Sequence, residues 1–166
     1  MPRFDVLPEQ LTTLPITYSL DAVPDEYLDL MGHTNVQHYG VMFSKGAREF
    51  MSLLGVTSEY VKTRRHGVFM LRNFTQYIAE VNAGESLTIR SRLVDYSEKR
   101  VHYVCIMVNE TRNNIAATFE ALSTHADLTA RRSSAWPPDL IAIIERYHRE
   151  HSALTWQPPL SGAIHV

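Results

Sequence analysis

The sequence predicts an α+β fold in which one long helix packs against a curved antiparallel sheet. Three observations predict it: apolar residues recur at helical spacing after Val36, four strand-like segments lie between residues 68 and 128, and short polar turns separate those strands. The helices are grouped apart from the strands along the chain, whereas α/β proteins alternate them. At 166 residues, 45% of them hydrophobic, the chain fits one domain over residues 1–166.

A short half-buried strand is predicted first, at residues 16–20, where apolar and polar side chains alternate. The long helix begins at Val36, because apolar or small residues recur there in steps of three and four. It ends near Gly55, a residue suited to a helix C-cap. Thr57 is the predicted N-cap of a short second helix that ends near the basic run at residues 64–66.

The second half of the chain contains four long strand-like segments joined by short turns. The strands are predicted at residues 68–78, 86–96, 100–110 and 115–128, with turns at residues 82–85, 97–99 and 111–114. Turns this short predict that successive strands pair as an antiparallel meander. Pro137 and Pro138 then open an amphipathic C-terminal helix, and the tail from Ser152 is predicted to be irregular.

Composition and charge exclude several classes of protein. A formal net charge of −2 argues against a protein that coats nucleic acid. No stretch approaches the roughly 18 apolar residues of a membrane span, and residues 1–6 lack the apolar segment of a signal peptide. The single Cys105 cannot form an internal disulfide and is expected to pack as a small hydrophobic residue. We therefore expect a cytoplasmic protein with no nucleic-acid or membrane partner.

The densest run of chemistry-bearing residues, residues 29–39, lies just before and at the start of the long helix. A helix N-terminus presents unpaired N–H groups and the positive end of the helix dipole, which would polarise a carbonyl oxygen. Gly32 would let a ligand approach closely, and Asp29 could attack an acyl carbon or activate a water. Asn35 is either the helix N-cap or a substrate contact. His33 is a general acid, a hydrogen-bond donor, or a residue that contributes only its amide.

The motif Asp29-x-x-Gly32-His33-x-Asn35, followed by Tyr39, resembles the signature of hotdog-fold acyl-CoA thioesterases of the hydroxybenzoyl-CoA thioesterase type. The resemblance implies a long central helix wrapped by a curved antiparallel sheet. It implies that Asp29 is the catalytic carboxylate, as nucleophile or general base, and that the amides around Gly32 and His33 stabilise the oxyanion. It also implies an acyl-CoA substrate and an active site at a dimer interface.

Other segments extend this resemblance, and two positions depart from it. The run Tyr77-x-x-Glu80-x-x-x-Gly84-Glu85-Ser86-Leu87 resembles the family's strand, turn and strand. Met31 stands where an Asn often precedes the glycine, and Val36 where many relatives have a second Asn. A long sheet also leaves an edge that a second copy could cover, so we expect a homodimer or a dimer of dimers.

The C-terminal half resembles thioesterases of carnitine catabolism, which hydrolyse betainyl-CoA. The resemblance lies in residues 125–133, the Pro137-Pro138 helix start and residues 162–166. A trimethylammonium acyl group requires aromatic rings or acidic groups around it. Rings are available from Tyr39, Phe43, Phe69, Phe74 and Tyr77. However, Arg72 lies where that subgroup would have an acidic residue.

Candidate substrate contacts are Asn35, Tyr39, Phe43, Phe74 and Tyr77. The arginines that either bind CoA phosphates or form solvated surface are Arg64, Arg65, Arg131 and Arg132. No metal or redox cofactor is expected, because His33 and His38 are five residues apart on a helical segment and point to different faces. Two alternatives to hydrolysis are a module that only binds an acyl thioester and a hotdog hydratase, whose Asp-x-Asn-Pro-x-His type of motif this sequence lacks.

Overall fold

A computed structural model describes residues 6–166, so nearly all of the N-terminal stretch 1–6 lies outside the described residues. Within them the helices and long strands lie close to their predicted positions. They are β1 Ile16–Leu20, α1 Val36–Leu53, α2 Ser58–Arg64, β2 His66–Tyr77, β3 Leu87–Tyr96, β4 Arg100–Asn109, β5 Asn114–Asp127, β6 Arg132–Ser133 and α3 Pro138–Ser152. The predicted α+β class is confirmed. No helix in this part of the chain is long and apolar enough to cross a membrane.

The sheet has the strand order β1-β3-β4-β5-β2, with β6 added to β5, and every pairing is antiparallel. Strands β3, β4 and β5 form the predicted meander. The prediction was wrong for β2, which pairs with β5 and not with β3. The sheet curls around α1, so β2 and β3 lie on different sides of the helix and the chain crosses the helix end between them. Residues 82–85 therefore turn the chain without closing a hairpin.

The crossing segment, residues 78–86, is fastened to the chain around the start of α1. The Val81 carbonyl accepts a hydrogen bond from the Thr34 N–H at 2.8 Å, and the Glu85 carbonyl accepts one from the Val23 N–H at 2.9 Å. These hydrogen bonds satisfy backbone groups of the crossing segment and attach it to the chain on either side of the Asp29 loop. The end of β2 is thereby held beside the loop that precedes α1.

The ends of α1 have the capping groups that the sequence predicts. Asn35 is the N-cap, and its side-chain oxygen accepts a hydrogen bond from the Gln37 N–H at 3.0 Å. Gly55 has a φ of +96°, and its own N–H and that of the following residue close the last turn in a Schellman motif. Thr57 caps α2 by accepting from the Tyr60 N–H at 3.1 Å. These caps fix where the long helix begins and ends relative to the sheet.

The central strands β4 and β5 are covered on both faces of the sheet. Its inner face packs against the buried side of α1, including Tyr39, Met42, Phe43, Ala47 and Phe50. Its outer face forms a second apolar cluster, in which Val104 and Ile106 of β4 meet Leu11, Leu14 and Trp156 from the two ends of the chain.

Buried polar groups fasten the irregular tail to the outer face. Arg92 donates to the carbonyls of His151 at 2.9 Å and Trp156 at 2.8 Å. Glu120 accepts from the Ser161 N–H at 2.6 Å and lies 2.8 Å from the ring nitrogen Nε2 of His102. The tail is thus irregular, as predicted, and is nevertheless held on the sheet.

Candidate active site

The loop before α1 is a compact turn built on Asp29 and His33. The Asp29 N–H donates to the His33 carbonyl at 3.0 Å, and the Gly32 N–H donates to the Asp29 carbonyl at 3.0 Å. Gly32 has a φ of +86°, and a Cβ atom there would meet nothing within 4 Å. The turn therefore requires glycine for its backbone conformation. The open space beside it is consistent with close approach of a ligand.

The two carboxylate oxygens of Asp29 have different surroundings. Oδ1 accepts a hydrogen bond from the Met31 N–H at 2.8 Å, which fixes the orientation of the carboxylate. Oδ2 lies 3.5 Å from Nδ1 of His33, longer than a good hydrogen bond. The Asp29 side chain is 20% exposed. One oxygen is thus held by the loop, and the other remains able to meet a water or an acyl carbon.

The amides at the start of α1 are divided between used and unused donors. The N–H groups of Gly32, Thr34 and Asn35 all have backbone acceptors. Within residues 6–166, the N–H groups of His33 and Val36 have none. Val36 is the first residue of α1, where the positive end of the helix dipole lies. The unused donors for an oxyanion are therefore those of His33 and Val36, and the Gly32 amide serves the turn.

A cleft of about 390 Å³ opens beside this loop. It is lined by Asp29, Met31, His33, Thr34, Asn35, Val36, Tyr39, Tyr77, Ile78, Ala79 and Glu80. The structure thus brings together five of the residues selected from the sequence, namely Asp29, His33, Asn35, Tyr39 and Tyr77. Sequence reasoning passed over Val36, because its contribution is a backbone amide. It also passed over Glu80 as a site residue, although the Tyr77-x-x-Glu80 spacing was a signal for it.

Two of the predicted aromatic contacts lie outside the cleft. Phe43 is fully buried and stacks on Phe119 with ring centroids 5.3 Å apart, as part of the core. Phe74 is 43% exposed on β2 and does not line the cleft. Tyr39 and Tyr77 do line it, and their rings meet edge to face at 5.2 Å. The aromatic wall of the cleft is therefore this tyrosine pair.

Both tyrosines stay protonated. The pKa of Tyr39 is raised to about 12, mainly by burial and in smaller part by Tyr77, Glu85 and Glu80. Burial also raises the pKa of Tyr77. At neutral pH the two rings are neutral phenols, so any attraction they exert on a ligand comes from their π faces and hydroxyl groups.

Two carboxylates near the tyrosines differ in their partners. Burial would raise the pKa of Glu85, but hydrogen bonds from the Asn82 N–H, Asn109 and Arg112 outweigh it and hold that pKa below its usual value. Glu85 is thus a neutralised structural group that fixes the crossing segment. Glu80 lines the cleft and is exposed, and no Lys, Arg or His within residues 6–166 forms an ion pair with it.

The arginines selected for CoA binding lie at the other end of β2. Arg64 donates to both oxygens of Asp139, at 3.0 and 2.6 Å, and is engaged with α3. Arg65 follows α2, Arg131 lies 5.7 Å from the centre of the Phe69 ring, and Arg132 begins β6. A 12-residue strand is roughly 35 Å long, so within one chain these arginines and the cleft are far apart.

The remaining candidates are accounted for by local contacts. Cys105 is fully buried in β4, and burial raises its pKa to about 12, so it packs as the predicted small hydrophobic residue. His38 stacks on Tyr27 with ring centroids 3.9 Å apart, away from His33. The part of the chain that the structure describes contains no group of three or more His, Cys, Asp or Glu residues arranged to hold a metal.

Comparisons with known proteins agree with the fold and identify the family. A sequence model of the Thioesterase-like superfamily matches residues 23–144, and the chain belongs to this superfamily. Membership confirms the predicted class of enzyme, a thioester hydrolase, and the predicted hotdog fold. The matched region contains the Asp29 loop, α1 and every residue that lines the cleft.

Individual relatives are distant. Betainyl-CoA thioesterase of Pseudomonas aeruginosa is 25% identical over 138 residues, which are 83% of this chain and 86% of that protein. An L-carnitine dehydrogenase/betainyl-CoA thioesterase of Agrobacterium fabrum is 26% identical over 124 residues, 75% of this chain. The chain spans only 25% of the length of that longer relative. A Staphylococcus aureus protein solved in complex with CoA has the same fold, with a TM-score of 0.81 at 23% identity over 92% of this chain and 96% of that one.

Proposed function

We propose that this protein is an acyl-CoA thioesterase in which Asp29 carries the reaction. The substrate is a thioester of CoA, and the products are the free CoA thiol and a carboxylic acid. The observation that supports this most is the juxtaposition in one cleft of an oriented carboxylate and the start of a helix whose first amide has no acceptor among the described residues. A nucleophile or base on one side and an oxyanion site on the other are what acyl transfer requires.

The thioester carbonyl oxygen would accept hydrogen bonds from the Val36 and His33 N–H groups. The positive end of α1 favours the negative charge that develops on this oxygen. As a general base, Asp29 takes a proton from a water as the water oxygen attacks the carbonyl carbon. The C–S bond then breaks, and the proton passes to the leaving thiolate. As a nucleophile, Oδ2 attacks the carbonyl carbon instead, and the C–S bond breaks to release the CoA thiolate, which takes a proton from water. A second water then hydrolyses the mixed anhydride to the carboxylic acid and restores the Asp29 carboxylate.

The finer assignments follow from the position of each residue. His33 sits beside the free oxygen of Asp29 and would keep the carboxylate aimed at the carbonyl carbon. Tyr39 and Tyr77 would form the wall against the acyl group. The names of the two curated relatives make betainyl-CoA the first acyl-CoA to test. Arg131 and Arg132, which within residues 6–166 lack the carboxylate partner that Arg64 has, are the first candidates for the CoA phosphates.

The test is thiol release by wild type and by Asp29→Asn from short aliphatic, aromatic, long-chain and betainyl-CoA. Asn can still accept the Met31 N–H, so the loop should persist while kcat falls by a factor of about 10² to 10⁴. Asp21→Asn, which removes an exposed carboxylate outside the cleft, should keep wild-type rates. Near-full activity of Asp29→Asn would exclude this mechanism. Tight binding of acyl-CoA by wild type without thiol release would instead indicate a binding module.

A further inference from the structure

The cleft is lined by acidic side chains and by no lysine or arginine of the described residues. The two carboxylates are those of Asp29 and Glu80. Asp29 is committed to the loop and to the reaction, whereas Glu80 has neither a hydrogen-bond partner nor an ion-pair partner in the described chain. A ligand with a positive charge would therefore be favoured in this cleft, and one with a second negative charge disfavoured.

The neighbouring Glu85 does not account for this field on its own. Its carboxylate forms an ion pair with Arg112 and accepts a hydrogen bond from Asn109. Burial and Tyr77 are the largest causes of the raised pKa of Tyr39, and the negative charges of Glu85 and Glu80 follow them. Both carboxylates therefore contribute to the negative potential at the Tyr39 ring. Glu80 thus adds an unneutralised charge beside an aromatic wall.

The wall itself suits an apolar cation. The rings of Tyr39 and Tyr77 meet edge to face at 81° and form a corner, in which Tyr77, 50% exposed, is the more accessible ring and Tyr39 is 5% exposed. An aromatic face attracts a cation through its quadrupole. Other lining residues, Met31, Val36, Ile78 and Ala79, are apolar. These apolar side chains offer no hydrogen-bond acceptor to an N–H donor packed against them. A quaternary ammonium group has no N–H to satisfy and presents methyl groups to the wall.

We propose that Glu80, together with the Tyr39–Tyr77 corner, forms a subsite for a quaternary ammonium group carried by the acyl chain, and that Glu80 sets the preference for cationic over neutral acyl groups. This inference rests on the proposed thioesterase function and deepens it by assigning the class of acyl group to named residues. Glu80 acts through its charge on the bound acyl group and takes no part in breaking the C–S bond.

The position of Arg72 does not oppose this assignment. Arg72 is exposed on β2, five residues before Tyr77, a separation of roughly 16 Å along a strand. It does not line the cleft. The betainyl-CoA subgroup would have an acidic residue at position 72. In this chain the acidic residue in the cleft is Glu80, which lies on the segment that follows β2.

The test compares two acyl groups of the same shape. Betainyl-CoA carries a trimethylammonium group, and 3,3-dimethylbutanoyl-CoA carries a neutral tert-butyl group at the same place. The trimethylammonium group also makes the betainyl carbonyl more reactive, but this intrinsic difference is the same for every variant. The change in the ratio of the two kcat/KM values between wild type and variant therefore measures the charge preference. We expect wild type to favour betainyl-CoA and Glu80→Gln, which keeps the size of the side chain, to lower the ratio about tenfold. Added salt should lower the wild-type ratio as well, because the subsite is open to solvent.

Glu98→Gln is the matched control, since it removes an exposed carboxylate from the β3–β4 turn with the same change in net charge. It should leave the ratio unchanged. An unchanged ratio in Glu80→Gln, or a wild-type preference for the neutral ester, would overturn the inference while leaving thioesterase function intact. Hydrolysis of other acyl-CoAs but of neither of these two would do the same. Failure of wild type to hydrolyse any thioester in the panel would overturn both proposals.

Discussion

At the scale of single residues, the chemistry depends on which amide at the start of α1 is left without an acceptor. The Asn35 side chain caps the Gln37 N–H, and the Asn35 and Thr34 N–H groups are used by the backbone. This arrangement satisfies the first turn except at Val36, which lines the cleft. A helix end that is capped incompletely, at a position that lines a cleft, is suited to bind a developing negative charge.

Replacement of Val36 by proline tests this residue directly. Proline removes the N–H, and it is tolerated at the first helical position. The preceding Asn35 has φ −63° and ψ 141°, a conformation compatible with a following proline. We expect Val36→Pro to keep the fold, by circular dichroism and thermal unfolding, and to lower kcat by a factor of about 10² to 10³. Val36→Ala keeps the N–H and should stay within a few-fold of wild type. Equal activity of the two variants would rule the Val36 amide out as the oxyanion donor.

The sequence predicted the part of the site that is local in the chain. Asp29, His33 and Asn35 are consecutive in one motif, so their proximity follows from chain connectivity. Tyr39 follows one helical turn after Asn35. Phe43, a further turn along the same face, was selected by the same reasoning, but by that turn the helix is already under the sheet, where Phe43 stacks on Phe119. Helical periodicity shows which residues share one face of a helix. It does not show how many turns along that face still line a cleft.

At the scale of elements, the boundaries were predictable and one strand pairing was not. Gly55 and Thr57 are local signals, and each marks its helix end as predicted. Asn35, for which the sequence left an N-cap and a substrate contact open, is the N-cap of α1. The position of β2 beside β5 depends on the curl of the sheet around α1, which no short segment encodes. The crossing segment 78–86 is what brings Glu80 to the Asp29 loop. The pairing error and the omission of Glu80 from the site therefore have the same cause.

Two glycines of the α1 region provide a matched pair for stability. Gly55 has a φ of +96°, and a Cβ atom there would lie 2.1 Å from Cδ2 of Leu140 on α3. Gly40 lies within α1, and a Cβ atom at that position would meet nothing within 4 Å. We expect Gly55→Ala to lower the free energy of unfolding by about 1–3 kcal/mol, and Gly40→Ala to raise it by about 0.5–1 kcal/mol. Urea unfolding measures both. A neutral Gly55→Ala would show that the C-cap and its contact with α3 are not needed for stability.

At the scale of the whole molecule, the two edges of the sheet differ in length and in exposed apolar surface. Both faces of the central strands are covered, the inner by α1 and the outer by segments from the two ends of the chain. The edge strand β1 has 5 residues, whereas the edge strand β2 has 12. Exposed apolar side chains on or just after β2 are Phe69, Met70, Leu71, Phe74, Tyr77 and Ile78. A long apolar edge is the surface through which we expect a second copy to pair, and the covered outer face argues against pairing there.

Antiparallel pairing of two copies of β2 would place the Tyr77 end of one strand beside the His66 end of the other. Arg131 and Arg132, which lie at the His66 end, would then approach the cleft of the partner subunit, although they are roughly 35 Å from the cleft of their own chain. This geometry reconciles the arginines selected for CoA binding with a cleft that they cannot reach within one chain. It requires that each active site draw on both subunits.

Mixed dimers show whether Arg131 and Arg132 serve the cleft of the partner subunit or the cleft of their own chain. We expect Asp29→Asn to be inactive and Arg131→Ala/Arg132→Ala to have kcat/KM reduced at least about tenfold, because charged contacts to phosphate are lost. A purified heterodimer of the two variants has one site with an intact Asp29 and, from the other subunit, intact arginines, so it should recover about half of the wild-type kcat/KM. If the arginines served their own chain, no site in the heterodimer would be complete. The activity of the heterodimer would then not exceed that of the Arg131→Ala/Arg132→Ala homodimer. A monomeric wild-type protein by sedimentation would exclude the shared site altogether.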